Sequence, residues 1–324
     1  MGNNLSQLFP PSPTFTEESL PDLSGKVFIV TGGSSGVGLE VVKRLYHKNG
    51  TVYIAARTER TALTLIDQIK AEYPESSGKL VFLYLELSDL SAVKQSATAF
   101  LAKEQRLDVL WNNAGLSKPD GRPKTAQGHE IHIGVNCLGP FLFTTLLLPI
   151  LQKTAALARK DSVRVIWTAS QSIDLLAPKH GLSVADLESS DKSPIINYTF
   201  SKTGNWFLGS ELARRYGKDG IISVTQNPGN LRSNLQRDLT SWMTAILNHT
   251  ILHDTRFGAY TELFAGLSPT ITEAQNGAYI GPWGRMDNKR PTGMAASLKS
   301  KEEGGSGNAA EVWEWCERKI KEYM

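Results

Sequence analysis

The sequence predicts an α/β fold, a doubly wound parallel sheet, and three observations carry that expectation. Short runs rich in Val, Ile and Leu are apolar throughout, which is the pattern of strands buried on both faces. They alternate with longer segments whose apolar residues recur at helical spacing. The first run leads directly into a glycine-rich turn, and a helix follows it. Strands and helices alternating in this way give a parallel sheet with helices on both sides.

The elements follow in order. Lys26 to Thr31 (KVFIVT) is the first strand, and LEVVKRLYHKNG is the helix that stops at Gly50. TVYIAAR (51–57) precedes a helix through Tyr73, and KLVFLYLEL (79–87) precedes a helix at 89–105. LDVLWN (107–112) leads to a helix from about 125 to 153, and SVRVIWTAS (162–170) to a long helix from about 197 to 217. IISVTQ (221–226) is the sixth strand, DLTSWMTAILNHTIL and RFGAYTELFAGL read as two helices within 230–270, and a last short strand falls near Ala278 to Ile280. This is a single Rossmann-type domain at 25–290. Residues 1–24, rich in Pro, Ser, Thr and Asn, are expected to form an arm on the surface or partly disordered. Residues 291–324 read as a linker (KEEGGSGN) and an amphipathic helix (EVWEWCERKIKEYM), so the domain carries two appendages.

Composition narrows the function. The chain has 324 residues, 40% of them hydrophobic, which excludes collagen, disorder and a disulfide scaffold. With 35 Lys and Arg against 32 Asp and Glu, the net charge of +3 gives no argument for nucleic acid. Cys137 and Cys316 form no C-x-x-C, so neither a zinc site nor a redox pair is suggested. The longest apolar run, Pro140 to Leu151, falls short of the ~20 residues that span a bilayer and reads as buried helix, with no stable membrane insertion. MGNNLSQLFPPSP lacks a cationic start and an apolar core, so a cytoplasmic protein is expected. Met1 to Ser6 fits the short myristoylation pattern, but no Lys or Arg precedes Lys26 to reinforce a single acyl chain, and an unmodified arm is expected.

Several residues carry chemistry. In Thr31-Gly32-Gly33-Ser34-Ser35-Gly36-Val37-Gly38 the glycines at 32, 36 and 38 give a T-G-x-x-x-G-x-G spacing. Such a turn lets a pyrophosphate approach backbone N–H groups and the positive end of the next helix, making Gly32, Ser34, Ser35, Gly36 and Gly38 candidates, although packing alone can also demand glycine. Arg57 ends the second strand where an NAD-binding unit would place an acid, and Arg60 lies one turn on. Guanidinium groups suit a 2′-phosphate, which favours NADP(H) over NAD(H). Tyr198 and Lys202 lie four residues apart on one helix face, and a neighbouring cation favours a phenolate. Ser170 and Asn112-Asn113-Ala114-Gly115 end strands, and Asn136 sits in a predicted helix, so these groups can converge at the carboxyl edge of the sheet. His129-Glu130-Ile131-His132 is one residue short of H-E-x-x-H; it reads as polar residues on an exposed helix face, and no metal is assigned.

Together and in this order, T-G-x-x-x-G-x-G, N-N-A-G, V-N-x-L-G, the strand-end Ser, Y-x-x-x-K and Pro228-Gly229 resemble the short-chain dehydrogenase/reductase family over about residues 24 to 285. The resemblance implies Tyr198 as general acid/base, Ser170 as hydrogen-bond partner of the substrate oxygen and Asn136 as support for the proton relay. Lys202 would hold the nicotinamide ribose and lower the tyrosine pKa. Val37 would offer its amide to the pyrophosphate, Glu86 and Leu87 would lie at the adenine, Asn113 near the adenosine half, and Gly229, Leu231 and Ser233 at the carboxamide. Glu86 stands where the family usually has Asp, Ser233 where it usually has Thr, and 171–197 looks like an insertion beside the pocket.

In the family the segment after Pro-Gly usually forms a lid, here 230–270. Its Leu235, Leu239, Trp242, Met243, Ile246, Leu247, Ile251 and Phe257 suit a bulky lipophilic substrate, or equally a helix core. The layout and the Gly281-Pro282-Trp283-Gly284-Arg285 ending look most like fungal members, many of which act in secondary metabolism. The implied function is hydride transfer between NADP(H) and a carbonyl or secondary alcohol, as a ketoreductase or alcohol dehydrogenase. A redox-silent NADP-binding scaffold, or an epimerase or dehydratase using the same site, are the alternatives. The resemblance also admits a homodimer formed through the helix after Asn136 and the Tyr198 helix.

Overall fold

The computed structural model describes residues 10–117, 124–189, 192–232, 252–286 and 292–324. Gly2, Ser233 and most of the anticipated lid, from Leu235 through Ile251, lie outside the described residues. In chain order the strands are β1 (Val27–Thr31), β2 (Thr51–Ala56), β3 (Lys79–Tyr84), β4 (Val109–Asn112), β5 (Val163–Thr168), β6 (Ile221–Gln226) and β7 (Tyr279–Ile280). All pair in parallel, in the order β3-β2-β1-β4-β5-β6-β7. The main helices are α1 (Gly36–His47), α2 (Glu59–Glu72), α3 (Leu90–Leu101), α4 (Ile131–Leu157), α5 (Pro194–Tyr216), α6 (Thr255–Leu267) and α7 (Asn308–Ile320).

Strand residues alternate between two apolar cores. Phe28 and Val30 of β1 point to one, with α1, α2 and α6; Val27 and Ile29 point to the other, with α3, α4, α5 and α7. This is why the strands read as apolar on both faces. α4 starts at Ile131, later than expected, because residues 124–130 form a turn closed by the Thr125 amide on the His129 carbonyl, and the Glu130 side chain then caps the helix. Its turn Gly134–Leu138 is a π-helix. At 27 residues and a mean hydropathy of 1.7 the helix is long enough to cross a bilayer, but 78% of its apolar window is buried within the chain.

Three expectations change. Residues 10–24 do not simply lie on the surface: Phe15, Leu20 and Leu23 are buried between α1 and α6, and Phe15 meets the Phe264 ring edge-on at 5.9 Å. The C-terminal half of the expected lid is α6, a helix that covers the sheet with Ala259, Leu263 and Phe264. Phe257 packs, half-buried, against that core rather than over the cleft. The final amphipathic helix, α7, is no loose appendage either. Ala309, Val312, Trp313, Cys316 and Ile320 form one buried stripe, and Trp313 stacks edge-on against Phe141 of α4 at 4.7 Å. The chain's own C-terminal helix thus covers part of the apolar 140–151 run that a dimer contact would have used.

Trp313→Ala should therefore lower stability by ~3–5 kcal/mol, as expected for truncating a fully buried aromatic. Urea unfolding would measure it; a loss under ~1 kcal/mol, typical of a surface substitution, would mean that α7 does not belong to the core.

Candidate active site

A cleft of about 450 Å³ opens at the carboxyl ends of the strands, where the strand order reverses between β1 and β4. Near its middle, after β1, lie Gly32, Ser34, Ser35, Gly36 and Val37 from the β1–α1 turn, beside the α1 N-terminus. Arg57, Glu86 and Leu87, after β2 and β3, line one end, Asn113 lies beside the glycine turn after β4, and Ser170, Tyr198, Lys202, Gly229 and Leu231 line the other end. The succession from helix N-terminus to hydroxyl cluster fits an extended dinucleotide with its phosphates on the α1 amides.

Two predicted residues do not line the cleft. A Cβ on Gly38 would come within 2.6 Å of both Asn113 Nδ2 and the Gly32 carbonyl oxygen, so this glycine serves the close approach of α1 to the strand ends. Asn136 is fully buried in the π-turn. It accepts from the Leu116 amide at 2.7 Å and donates to the Leu116 carbonyl at 2.9 Å and to Ser201 Oγ at 2.8 Å. It therefore acts on the cleft through the loop after β4, holding Leu116 of the lining from behind. Arg60 is exposed on α2 and also lies away from the lining.

Asn113 lines the cleft and donates to the Thr31 carbonyl at 2.8 Å. Arg57 is mostly exposed, with Nη1 4.0 Å from Glu86 Oε2, and Glu86 Oε1 accepts from the amide and hydroxyl of Ser88. The carboxylate thus tethers both the guanidinium and the loop after β3 at the cleft edge.

The Tyr198 and Ser170 side chains share the same cleft wall, and the Ser170 hydroxyl accepts from the Ser172 amide at 3.2 Å. Burial pushes the Tyr198 phenol up from its ordinary value, and the neighbouring Ser170 hydroxyl acts the other way. This departs from the expectation that Lys202 lowers it. The Lys202 ammonium lies over the face of the Tyr198 ring, 5.9 Å from its centroid, and donates to the Thr168 carbonyl at 3.0 Å. Burial brings the Lys202 pKa down to about 8.

The sequence profile of the family described as short chain dehydrogenase matches residues 26–177. A short-chain dehydrogenase/reductase of Phomopsis amygdali is 49% identical to this chain, covering 99% of it and 97% of its own length. The chain belongs to the short-chain dehydrogenase/reductase family. Another of that name, from Neocamarosporium betae, is 47% identical over 98% of this chain and 93% of its own. Among solved structures, an uncharacterised Mycobacterium paratuberculosis protein superposes with a TM-score of 0.66 at 26% identity, covering 96% of this chain and 98% of its own. An NADPH-bound carbonyl reductase from chicken fatty liver gives 0.60 at 21% identity, covering 82% and 99%.

Sequence reasoning missed a buried network in this dehydrogenase/reductase. Thr168, the last residue of β5, gives its carbonyl to Lys202 and to Asn205 Nδ2, at 3.0 and 3.1 Å. Its hydroxyl donates to Glu262 Oε1 of α6 at 2.9 Å, and Gln226 Nε2 reaches the same oxygen at 2.7 Å. Glu262 Oε2 has no hydrogen-bond partner among the described residues, which suits a neutral acid. Burial pushes the Glu262 carboxyl up from 4.5 to about 8, with the Thr168 bond and then the Lys202 charge opposing it. The signal available was a lone charge in the apolar AYTELFAGL stretch.

A carboxyl raised by folding keeps its proton longer than in the unfolded chain, so its contribution to stability is complete below pH 4.5 and lost as the pH climbs to about 8. Lys202, lowered from 10.5 to about 8, adds the opposite slope only above that pH. Glu262→Gln should flatten the decline between about pH 5 and 8 in urea unfolding followed across pH. Parallel curves for variant and wild type would show that the decline comes from elsewhere.

Proposed function

We propose that this enzyme reduces a carbonyl of a bulky lipophilic small molecule to a secondary alcohol with NADPH. The observation that carries the reading is the convergence of the Tyr198 and Ser170 side chains on one cleft wall, with the buried Lys202 ammonium over the Tyr198 ring. The nicotinamide cofactor, when bound, supplies the hydride. Ser170 donates to the substrate oxygen and orients it toward Tyr198. Tyr198 hands its proton to that oxygen as the carbon gains the hydride, and solvent restores the phenol. Burial, by raising the phenol, keeps Tyr198 protonated at neutral pH, as an acid in the reductive direction must be.

Two features support the choice of ligands. Arg57 is the cation on the cleft edge after β2, where a 2′-phosphate would sit. Leu175 and Leu176, on the short helix after Ser170, and Ile195, one turn before Tyr198, are exposed apolar side chains close in sequence to the catalytic pair. Such residues suit a lipophilic substrate at the mouth of the site.

A panel of lipophilic ketones with NADPH tests the reading. Tyr198→Phe should lower kcat by at least ~10²–10⁴-fold, the contribution of a placed proton donor, while NADPH still binds. Undiminished turnover in that variant would sink the assignment, and catalysis without net NADPH consumption would point to epimerisation. Arg57→Ala should raise the KM for NADPH about tenfold, in line with one charged hydrogen bond, and leave NADH little changed. Equal effects on both cofactors would remove the 2′-phosphate contact.

A further inference from the structure

His132 lies at the start of α4 with its ring fully buried, not on the exposed face expected from H-E-x-H. Each ring nitrogen faces an oxygen: Nδ1 is 2.7 Å from Glu130 Oε1, and Nε2 is 3.2 Å from the Ser117 carbonyl. A carboxylate and a carbonyl both accept, so each contact needs a proton of its own, and Nε2–H must donate to Ser117. The other carboxylate oxygen of Glu130 accepts from the Ile133 amide at 2.9 Å. The carboxylate cannot turn away from His132 without uncapping α4.

One turn along the same helix, Asn136 holds both the amide and the carbonyl of Leu116. Three backbone groups of 116–117, the Leu116 amide and carbonyl and the Ser117 carbonyl, are thus held by two side chains of α4. This segment follows Gly115, where a Cβ would come within 2.9 Å of Lys202 Nζ, and it includes Leu116, which lines the cleft. The His132 ring also meets the Tyr198 ring edge-on, with centroids 6.4 Å apart.

We infer that Glu130 and His132 are a positioning pair for the reaction: Glu130 aligns the imidazole, and His132 pins Ser117 and abuts Tyr198, seating the 115–117 segment against Lys202. Neither residue lines the cleft. The inference rests on the proposed carbonyl reduction for its kinetic test and on geometry alone for its spectroscopic one.

His132→Phe keeps an aromatic edge on Tyr198 but removes the donor. In the full-length protein it should lower kcat with a ketone by about 10–100-fold, the scale of a small misplacement at a reacting centre, while the NADPH Kd changes less than about threefold. His132→Gln, whose amide can still reach Ser117, should recover part of the loss. Wild-type kcat in His132→Phe, or NADPH affinity falling in parallel with kcat, overturns the inference. Should His132→Phe fail to fold, Glu130→Gln decides: lowered kcat with unchanged Kd supports the pair, and wild-type kcat overturns it. The ¹⁵N spectrum of the His132 ring is read separately. A protonated Nε2, and an Nδ1 resonance that moves in Glu130→Gln, are expected; a bare Nε2 overturns the pair whatever the assays give. Failure of every ketone to turn over would instead count against the reductase reading and leave the spectral result standing.

Discussion

After β1 and β4 the chain leaves for opposite faces of the sheet, which opens the cleft, and one buried threonine ties the two strand ends together. Thr31 Oγ1 donates to the Trp111 carbonyl at 3.1 Å and accepts from the Ala114 amide at 2.9 Å, while its own carbonyl accepts from Asn113 Nδ2. The glycine turn begins at the next residue, and the segment that meets Lys202 begins two residues after Asn113. The glycine turn and the Lys202 side of the site thus take their separation from a hydroxyl whose donor and acceptor capacities are both used. Any ligand reaching from the α1 N-terminus to Tyr198 relies on that spacing.

β5 plays a comparable part between the two faces of the sheet. At its carboxyl end Thr168 serves Lys202 of α5 with its carbonyl and Glu262 of α6 with its hydroxyl. Toward its other end Arg164, buried and with its pKa brought down to about 10 by burial, donates to the carbonyls of Asp161, Ala265, Ser268 and Ile271. Those carbonyls belong largely to the end of α6 and the turn beyond it, where a cation also complements the helix dipole. The C-terminal half of α6 is therefore fixed by one strand, and the helix whose sequence suggested a lid is tied into the core.

Much of this was legible in the chain. Apolar runs marked every strand, because burial on both faces leaves no alternation to misread, and Tyr198, Lys202 and Ser170 lie together as their places on a helix face and a strand end implied. What escaped was the identity of each packing partner. A glycine such as Gly38 looks the same whether it admits a phosphate or a neighbouring backbone. An amphipathic stripe such as that of α7 announces burial without saying against what. His132 read as part of an exposed polar face and Glu262 drew no reading, because their partners, the Ser117 carbonyl and the Thr168 hydroxyl, come from distant or backbone groups that leave no trace in local pattern.

The edge-on contact between Phe141 and Trp313 also bears on how the protein is made. α4 leaves the ribosome about 150 residues before α7, which at ~5–20 residues per second is a delay of roughly 8–30 s. Through that interval the sheet and its first helices can form, yet the outer face of α4 lacks its cover. Nascent chains of this protein thus pass through a stage with a sticky aromatic patch exposed, and chaperone occupancy during synthesis should concentrate there until the last helix emerges.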